Sequence, residues 1–479
     1  MKKILIITAA LAASLSLNAQ NEVDALRYSQ LIPGGTARFN SLAGAFGALG
    51  ADFSTLSTNP AGLGVYKQSE FSFTPSLYLG KTTSTYQTKT GEDLKYNFNL
   101  GNTGLVMVMP AGKALRESGW RNIQFGVGLN RLNNYNNRML IEGFNPNSSL
   151  LDAYVNYANG IAPSELNEFD TRLAFDTWLL DTLGSNTSYF GAVPAGNVLQ
   201  RKSITTDGSL NEFVLSMGAN YKDRFYLGAS LGFPFLRYYE TSTYRESDSQ
   251  GAISDFKEFT LNDEYLARGS GFNFKLGMIF RPTDWLRLGT ALHTPTFFQI
   301  NETYSTSISS EFDNGDYYTA SSPNGEFDYK LETPMRFIGS LAFVIGEYGL
   351  VSADYEFLDY SDARLRSKSY KYFDENDAIR NSYVQAHNIR LGTEWRVDAF
   401  SFRGGYAIYG NPFESKINDG SRNLLSFGLG YREKNYFLDF AYVMTKGSED
   451  YYLYDPVLVS PAVNDLQQNS FLVTLGFRY

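Results

Sequence analysis

The chain has no cysteine and only two histidines in its 479 residues. The missing cysteines exclude a disulfide framework, a thiolate metal site and a lipid-modified amino-terminal cysteine. His293 and His387 alone make a poor start for a metal centre or for histidine-based haem capture. An enzyme also needs a nucleophile with a base to activate it, and no serine occupies the next outward strand position beside His387. The expectation is therefore no enzyme, no cofactor and no metal. Basic charge is short as well: a net charge of −9 and a pI near 5.0 offer no basic face for nucleic acid. After the first residues, no run approaches about 20 uninterrupted apolar side chains, which excludes a helical membrane protein. No Pro/Gly/Ser-rich linker divides the chain.

Rings, by contrast, are abundant. Phe, Tyr and Trp make up 15 % of a chain whose mean hydropathy is only −0.27. A barrel shows that combination, because its polar lumen and loops dilute an apolar outer band while aromatics gather at both interfaces. The amino terminus supplies an address: Lys2 and Lys3, an apolar stretch from Ile4 to Leu17, and Ala19 for cleavage read as a signal peptide over 1–19.

At the other end, Phe471, Val473, Leu475, Phe477 and Tyr479 alternate with Leu472, Thr474, Gly476 and Arg478, the two-residue period of a strand. Tight turns recur between similar runs, at Lys222-Asp223, Arg281-Pro-Thr-Asp284, Gly346-Glu-Tyr348, Arg396-Val-Asp-Ala399 and Arg432-Glu-Lys-Asn435. Longer polar connections, near 80–93, 144–209, 247–255, 308–327, 362–383, 410–421 and 447–467, alternate with them. This layout predicts an all-β, transmembrane antiparallel barrel of about fourteen strands over 68–479, since only closure satisfies every strand edge in lipid. Alternation turns Arg390, Arg396 and Arg403 inward as candidate lumen charges. Within the long connection, Glu165 to Leu183 has apolar positions at helical spacing and reads as a lid or loop helix.

Residues 20–67 do not alternate. Small residues and glycine there permit close backbone approach, while Phe39, Phe46, Leu49, Phe53 and Leu56 supply an apolar surface that must pack on something. Inside a barrel this segment would be a plug, and those five side chains are candidates for lining a ligand pocket.

The run Gly35-Thr-Ala-Arg38, Ala45-Phe-Gly-Ala48, Ala51-Asp52 and Asn59-Pro-Ala-Gly-Leu63 resembles the amino-terminal hatch of the FadL family of outer-membrane transporters of hydrophobic compounds. Arg281-Pro-Thr-Asp-Trp-Leu-Arg-Leu-Gly289, Leu331-Glu-Thr-Pro-Met-Arg336, Ala353-Asp-Tyr-Glu-Phe357 and Arg390-Leu-Gly-Thr-Glu-Trp395 are similar to that family's strand signatures in the same order. The resemblance implies a hatch motif at Asn59, Pro60 and Ala61, and passive transport of long-chain fatty acids, aromatic hydrocarbons or similar molecules in the outer membrane of a Gram-negative bacterium. It also implies capture among extracellular loops, an internal pocket, and lateral release into outer-membrane lipid at a kinked strand. By order along the chain that strand lies near Ile123 to Leu132, where Gly126 and Gly128 could weaken pairing. Some proteins resembling this family serve protein secretion instead, so a secretion-system protein is the alternative partner. The tyrosine groups Tyr317-Tyr318, Tyr370 to Phe373 and Tyr451 to Tyr454 suit either role.

Overall fold

A computed structural model describes residues 22–32, 34–184, 186–194, 196–414 and 418–479. The expected signal peptide lies outside them. Fourteen antiparallel strands close into one barrel. In chain order they are β1 Glu70–Tyr86, β2 Lys89–Pro110, β3 in two arms (Trp120–Asn134 and Asn137–Asn145), β4 Val198–Tyr221, β5 Phe225–Ser247 and β6 Glu258–Phe280. Then come β7 (Leu286–His293 and Phe297–Glu311), β8 (Gly325–Glu332 and Arg336–Ile345), β9 Gly349–Asp359, β10 Gln385–Val397, β11 Phe400–Tyr409, β12 Arg422–Arg432, β13 Tyr436–Tyr451 and β14 Ala462–Arg478. The wall closes where β14 pairs with β1, from Glu70 opposite Arg478 to Thr85 opposite Val463.

Alternation sorts the two faces as the sequence pattern requires. On the closing strands Phe71, Phe73, Leu77, Phe471, Leu475 and Phe477 point outward and are exposed, while Ser72, Thr74, Ser76 and Thr474 point inward and are buried. An outward apolar face beside an inward polar one suits a wall placed between lipid and a filled lumen.

Two of the anticipated loops are largely strand. The segment 80–93 is the end of β1, a two-residue turn at Gln87-Thr88 with φ of 45° and 67°, and the start of β2. Both turn residues adopt the left-handed conformation that a tight hairpin demands. In the connection 144–209, strand β4 already begins at Val198. Strands β7 and β8 are interrupted side by side at Pro295 and Pro334, which lack the N–H that a ladder needs. Thr296 and Thr333 stitch the two breaks, the Thr296 N–H donating to Thr333 Oγ1 at 3.0 Å and the Thr333 N–H to the Thr296 carbonyl at 3.1 Å.

The expected helix at Glu165 to Leu183 is a single short turn, Thr171–Asp176. The longer loop helix is Leu150–Ala158, opened by a capping box in which Ser149 and Asp152 satisfy each other's backbone N–H groups. Residues 22–32 and 34–67 lie against the inward face of the wall. They form a helix, α1, over Glu22–Ser29, a second, α2, over Ala37–Ser41, and two short 3-10 turns at Phe53–Ser57 and Pro60–Val65.

Candidate functional site

The hatch is knotted by its own polar side chains. Thr36 caps α2 by accepting from the Phe39 N–H at 3.0 Å, and its hydroxyl donates to Asp52 Oδ2 at 2.7 Å. Asp52 Oδ1 accepts from the Ser54 N–H at 2.9 Å, and Ser54 Oγ accepts from the Thr36 N–H at 2.8 Å. Burial pushes the Asp52 carboxyl above its ordinary value, against the pull of Arg38, Thr36 and Ser54.

Charged residues on several strands anchor this knot to the wall. Glu394 on β10 accepts from Arg38 of the hatch at 2.8 Å, from Arg403 at 2.7 Å and from Arg396 at 2.6 Å, while Arg403 also reaches Asp439 at 2.6 Å. Burial opposes the charge on Arg38, but Glu394 outweighs it and holds the guanidinium above its ordinary value. Asp354 accepts from the Phe46 and Gly47 N–H groups at 3.0 and 2.9 Å, and Glu212 accepts from Ser57 at 2.7 Å. His293 meets the Thr58 carbonyl at 2.6 Å through Nε2. Arg390 is paired with Glu356 at 2.6 Å. The inward arginines therefore hold carboxylates of the protein: Arg390 and Arg403 are buried, and Arg396 is the more exposed of the three.

The Asn59-Pro60-Ala61 motif locks the hatch in the same way. The Asn59 side chain accepts from the Ala61 N–H at 3.1 Å and donates to the Gly47 carbonyl at 2.6 Å. The motif lies so close to Gly228 and Gly277 on β5 and β6 that a side chain at either would collide with it. The inward glycines of the wall are thus the seat of the plug. Gly126 and Gly128 belong to this seat: the first lies under Leu56, the second under Phe53. Both sit within intact ladders, Gly126 opposite Val106 and Ser216, Gly128 opposite Gly104 and Val214, so neither marks a break in the wall.

The break comes a few residues later. Strand β2 pairs with β3 from Pro110 opposite Asn122 as far as Asn102 opposite Asn130, and the ladder stops there. Beyond it, the second arm of β3 pairs with β4, while residues 89–101 of β2 keep only β1 as ladder partner. Side chains take the place of ladder bonds across the gap: Arg131 Nε donates to the Leu100 carbonyl at 3.2 Å, Asn134 Nδ2 to Asn97 Oδ1 at 3.5 Å, Lys95 meets Asp207 at 2.6 Å and donates to the Thr206 carbonyl at 2.9 Å, and Lys89 pairs with Glu142. The bare edge of β3 is covered from inside, where the Ile32 and Gly34 N–H groups donate to the Leu132 and Arg131 carbonyls at 3.1 and 2.9 Å. On the outer face of the gap Tyr96 and Phe98 are 66 % and 76 % exposed.

Of the candidate pocket residues Phe39, Phe46, Leu49, Phe53 and Leu56, Leu49 lines a cavity of about 190 Å³ at the hatch. All five are buried, Phe39, Phe46 and Leu49 against Ala342 and Leu350, Phe53 and Leu56 against Val106 and Val214. Their helical spacing signalled burial correctly, but the surface they meet is the wall. A cavity of about 420 Å³ opens higher in the lumen, between α1, the loop helix Leu150–Ala158 and strands β5, β6, β7 and β13. Tyr154, Tyr244, Tyr265 and Tyr451 line it, and α1 presents Val23, Asp24 and Arg27. Asp24 holds Arg27 and accepts from the Tyr265 hydroxyl at 2.9 Å. The loop helix is tied down by Glu246 of β5, which accepts from the Leu150 N–H at 2.8 Å and from Ser149. A smaller cavity of about 70 Å³, lined by Ile32, Gly34, Asn99, Arg131 and Asn134, lies directly behind the gap.

A closed fourteen-strand barrel filled by its own amino-terminal segment is the FadL-type fold. Solved structures similar to it include a Pseudomonas aeruginosa FadL homologue (14 % identity, 93 % of this chain and 99 % of that one, TM-score 0.57). The toluene transporters TodX of P. putida (12 %, 94 % and 99 %, TM-score 0.54) and TbuX of Ralstonia pickettii (14 %, 94 % and 99 %, TM-score 0.52) are similar as well. At these identities the likeness establishes the fold. No family model and no curated protein sequence matches the chain.

Proposed function

We propose that this chain is a passive outer-membrane channel for hydrophobic molecules, of which long-chain fatty acids and aromatic hydrocarbons are the first to test. The observation that carries the reading is the break in the wall between residues 89–101 and β3, directly in front of a small cavity and above a hatch bonded to the wall on many sides. On this reading a cavity of about 600 Å³ among the outer loops receives the ligand, the cavity beside α1 holds it, and the gap releases it sideways. That suits an apolar cargo, which gains by passing into lipid and loses by passing into water. The toluene transporters of the same fold support a cargo of this kind. On this reading the protein acts without chemistry and without a cofactor, at its place in lipid.

The test is accumulation of a radiolabelled fatty acid and of labelled toluene by cells lacking the protein, with and without the wild-type chain restored. Faster entry of at least one is expected. Equal entry of both in the two strains, with the barrel present in the outer membrane, would overturn the proposal. A protein that co-purifies in stoichiometric amount with the chain would favour the secretion role instead.

A further inference from the structure

Two aromatic cavities lie on the proposed route, and both are short of positive charge. The outer one, about 600 Å³ among the loops, is walled by Trp178, Phe312 and Tyr318 with the carboxylates of Asp181, Asp255 and Asp316, and no lysine, arginine or histidine is among its described lining residues. Its rings stand as a partial cage, the Tyr318 centroid 6.5 Å from that of Trp178 and 6.0 Å from that of Phe312. Trp178 is 56 % exposed, so its face is open to an incoming molecule.

The inner cavity repeats the pattern. Asp24, Asp170, Glu240, Asp263, Glu264 and Asp450 outnumber its two cations, Arg27 and Lys202. Arg27 is held by Asp24 and lies 4.3 Å above the Tyr238 ring, while Lys202 stands between the rings of Tyr451 and Tyr244 at 5.3 and 6.0 Å. Next to Asp263 across the β5–β6 ladder is Ser242, a lining residue whose buried Oγ has no hydrogen-bond partner among the described residues.

A carboxylate entering either cavity meets an excess of like charge where water screens it poorly, whereas a cation gains from the carboxylates and from the ring faces together. We propose that the ligand is an apolar molecule bearing a positive charge, in its simplest form an aromatic amine, and that both cavities select against carboxylates. This assignment rests on the channel reading and, within it, ranks aromatic amines above the fatty acids with which the uptake test begins.

The test uses the full chain purified in non-ionic detergent, at neutral pH and low salt. Its affinities for naphthylmethylamine, naphthylmethanol and naphthoate are compared, one ring system in three charge states. The amine should bind tightest and the naphthoate weakest, with about a tenfold or larger span between them. Replacing the loop carboxylates, Asp181→Asn with Asp316→Asn, leaves the wall untouched and should shrink the span several-fold, as should Glu240→Gln with Asp263→Asn inside. Naphthoate binding as tightly as the amine, or a span that neither pair of substitutions changes, overturns the charge assignment and leaves the channel reading standing. Failure of all three probes to bind overturns the charge assignment, and the channel reading falls with it only if the uptake test also shows equal entry.

Discussion

Replacing Glu394 by glutamine should release the hatch while leaving the barrel closed. Glu394 is the shared acceptor for Arg38 of the hatch and for Arg403 and Arg396 of the wall, and its side chain is almost wholly buried. Glu394→Gln keeps the shape and removes the charge, so the guanidiniums are left with Asp439, which is itself bonded to Arg403, and Arg38 with Asp52 of the hatch. Breaking a buried pair by removing one partner costs about 3–5 kcal/mol. The amide oxygen still accepts one hydrogen bond, so the lower end applies: about 3 kcal/mol, or roughly two orders of magnitude in the hatch-opening equilibrium. Arg38→Gln should do less, about 1.5–3 kcal/mol for a charged hydrogen bond, because Glu394 then keeps both wall arginines. Hydrogen exchange read by mass spectrometry separates the possibilities, since the amides of Ala37, Ala43, Phe46 and Gly47 all donate to wall side chains. These amides should lose protection in Glu394→Gln while the strand amides keep theirs. Unchanged hatch protection would refute the anchoring role, and equal loss in the strands would show that the residue supports the barrel as a whole.

Three further outcomes are expected. Gly277→Val drives a side chain into Asn59 and Pro60 and should loosen residues 59–62 by about 1–3 kcal/mol, the usual cost of overpacking, visible as local exchange with an intact wall. Asp52 binds its proton more tightly in the folded hatch than in the open one. Its contribution to hatch stability is therefore complete below the ordinary aspartate value and lost as pH rises through the raised one. Asp52→Asn should abolish that part of the pH dependence of hatch exchange, and a retained slope would place it on another group. Finally, cysteines introduced at Asn97 and Asn134 and bridged by a short bis-maleimide should block uptake, in a chain whose lack of native cysteine keeps the labelling specific. Full uptake with the bridge in place would mean that the cargo leaves elsewhere.

The strands that cross the apolar band were legible because one face had to be greasy, as from Phe471 to Phe477. Beyond that band both faces are polar, and so 80–93 and the first residues of β4 read as loop although they pair along their whole length. The inward direction of Arg390 and Arg403 followed from alternation. Their partners did not, because Glu356, Glu394 and Asp439 are brought near by the registers of neighbouring strands, which a single strand's pattern does not encode. The hatch aromatics show the same limit: spacing marks Phe46 and Phe53 as buried without saying against what. Two signals were present and unused. Ser149 with Asp152 announced the helix at Leu150, and the inward glycines of β3, β5 and β6 marked where a second layer of chain comes close.

Thr474, on the last strand, joins two events that a description in layers keeps apart. Its hydroxyl lies 2.7 Å from that of Thr74 on the first strand and accepts from the Ala37 N–H of the hatch at 2.7 Å. All three residues are buried, so the hatch seals this corner of the closing seam from water. The seam that closes the cylinder is therefore also a latch: one hydroxyl is shared by the two strands that meet there and by the segment they enclose.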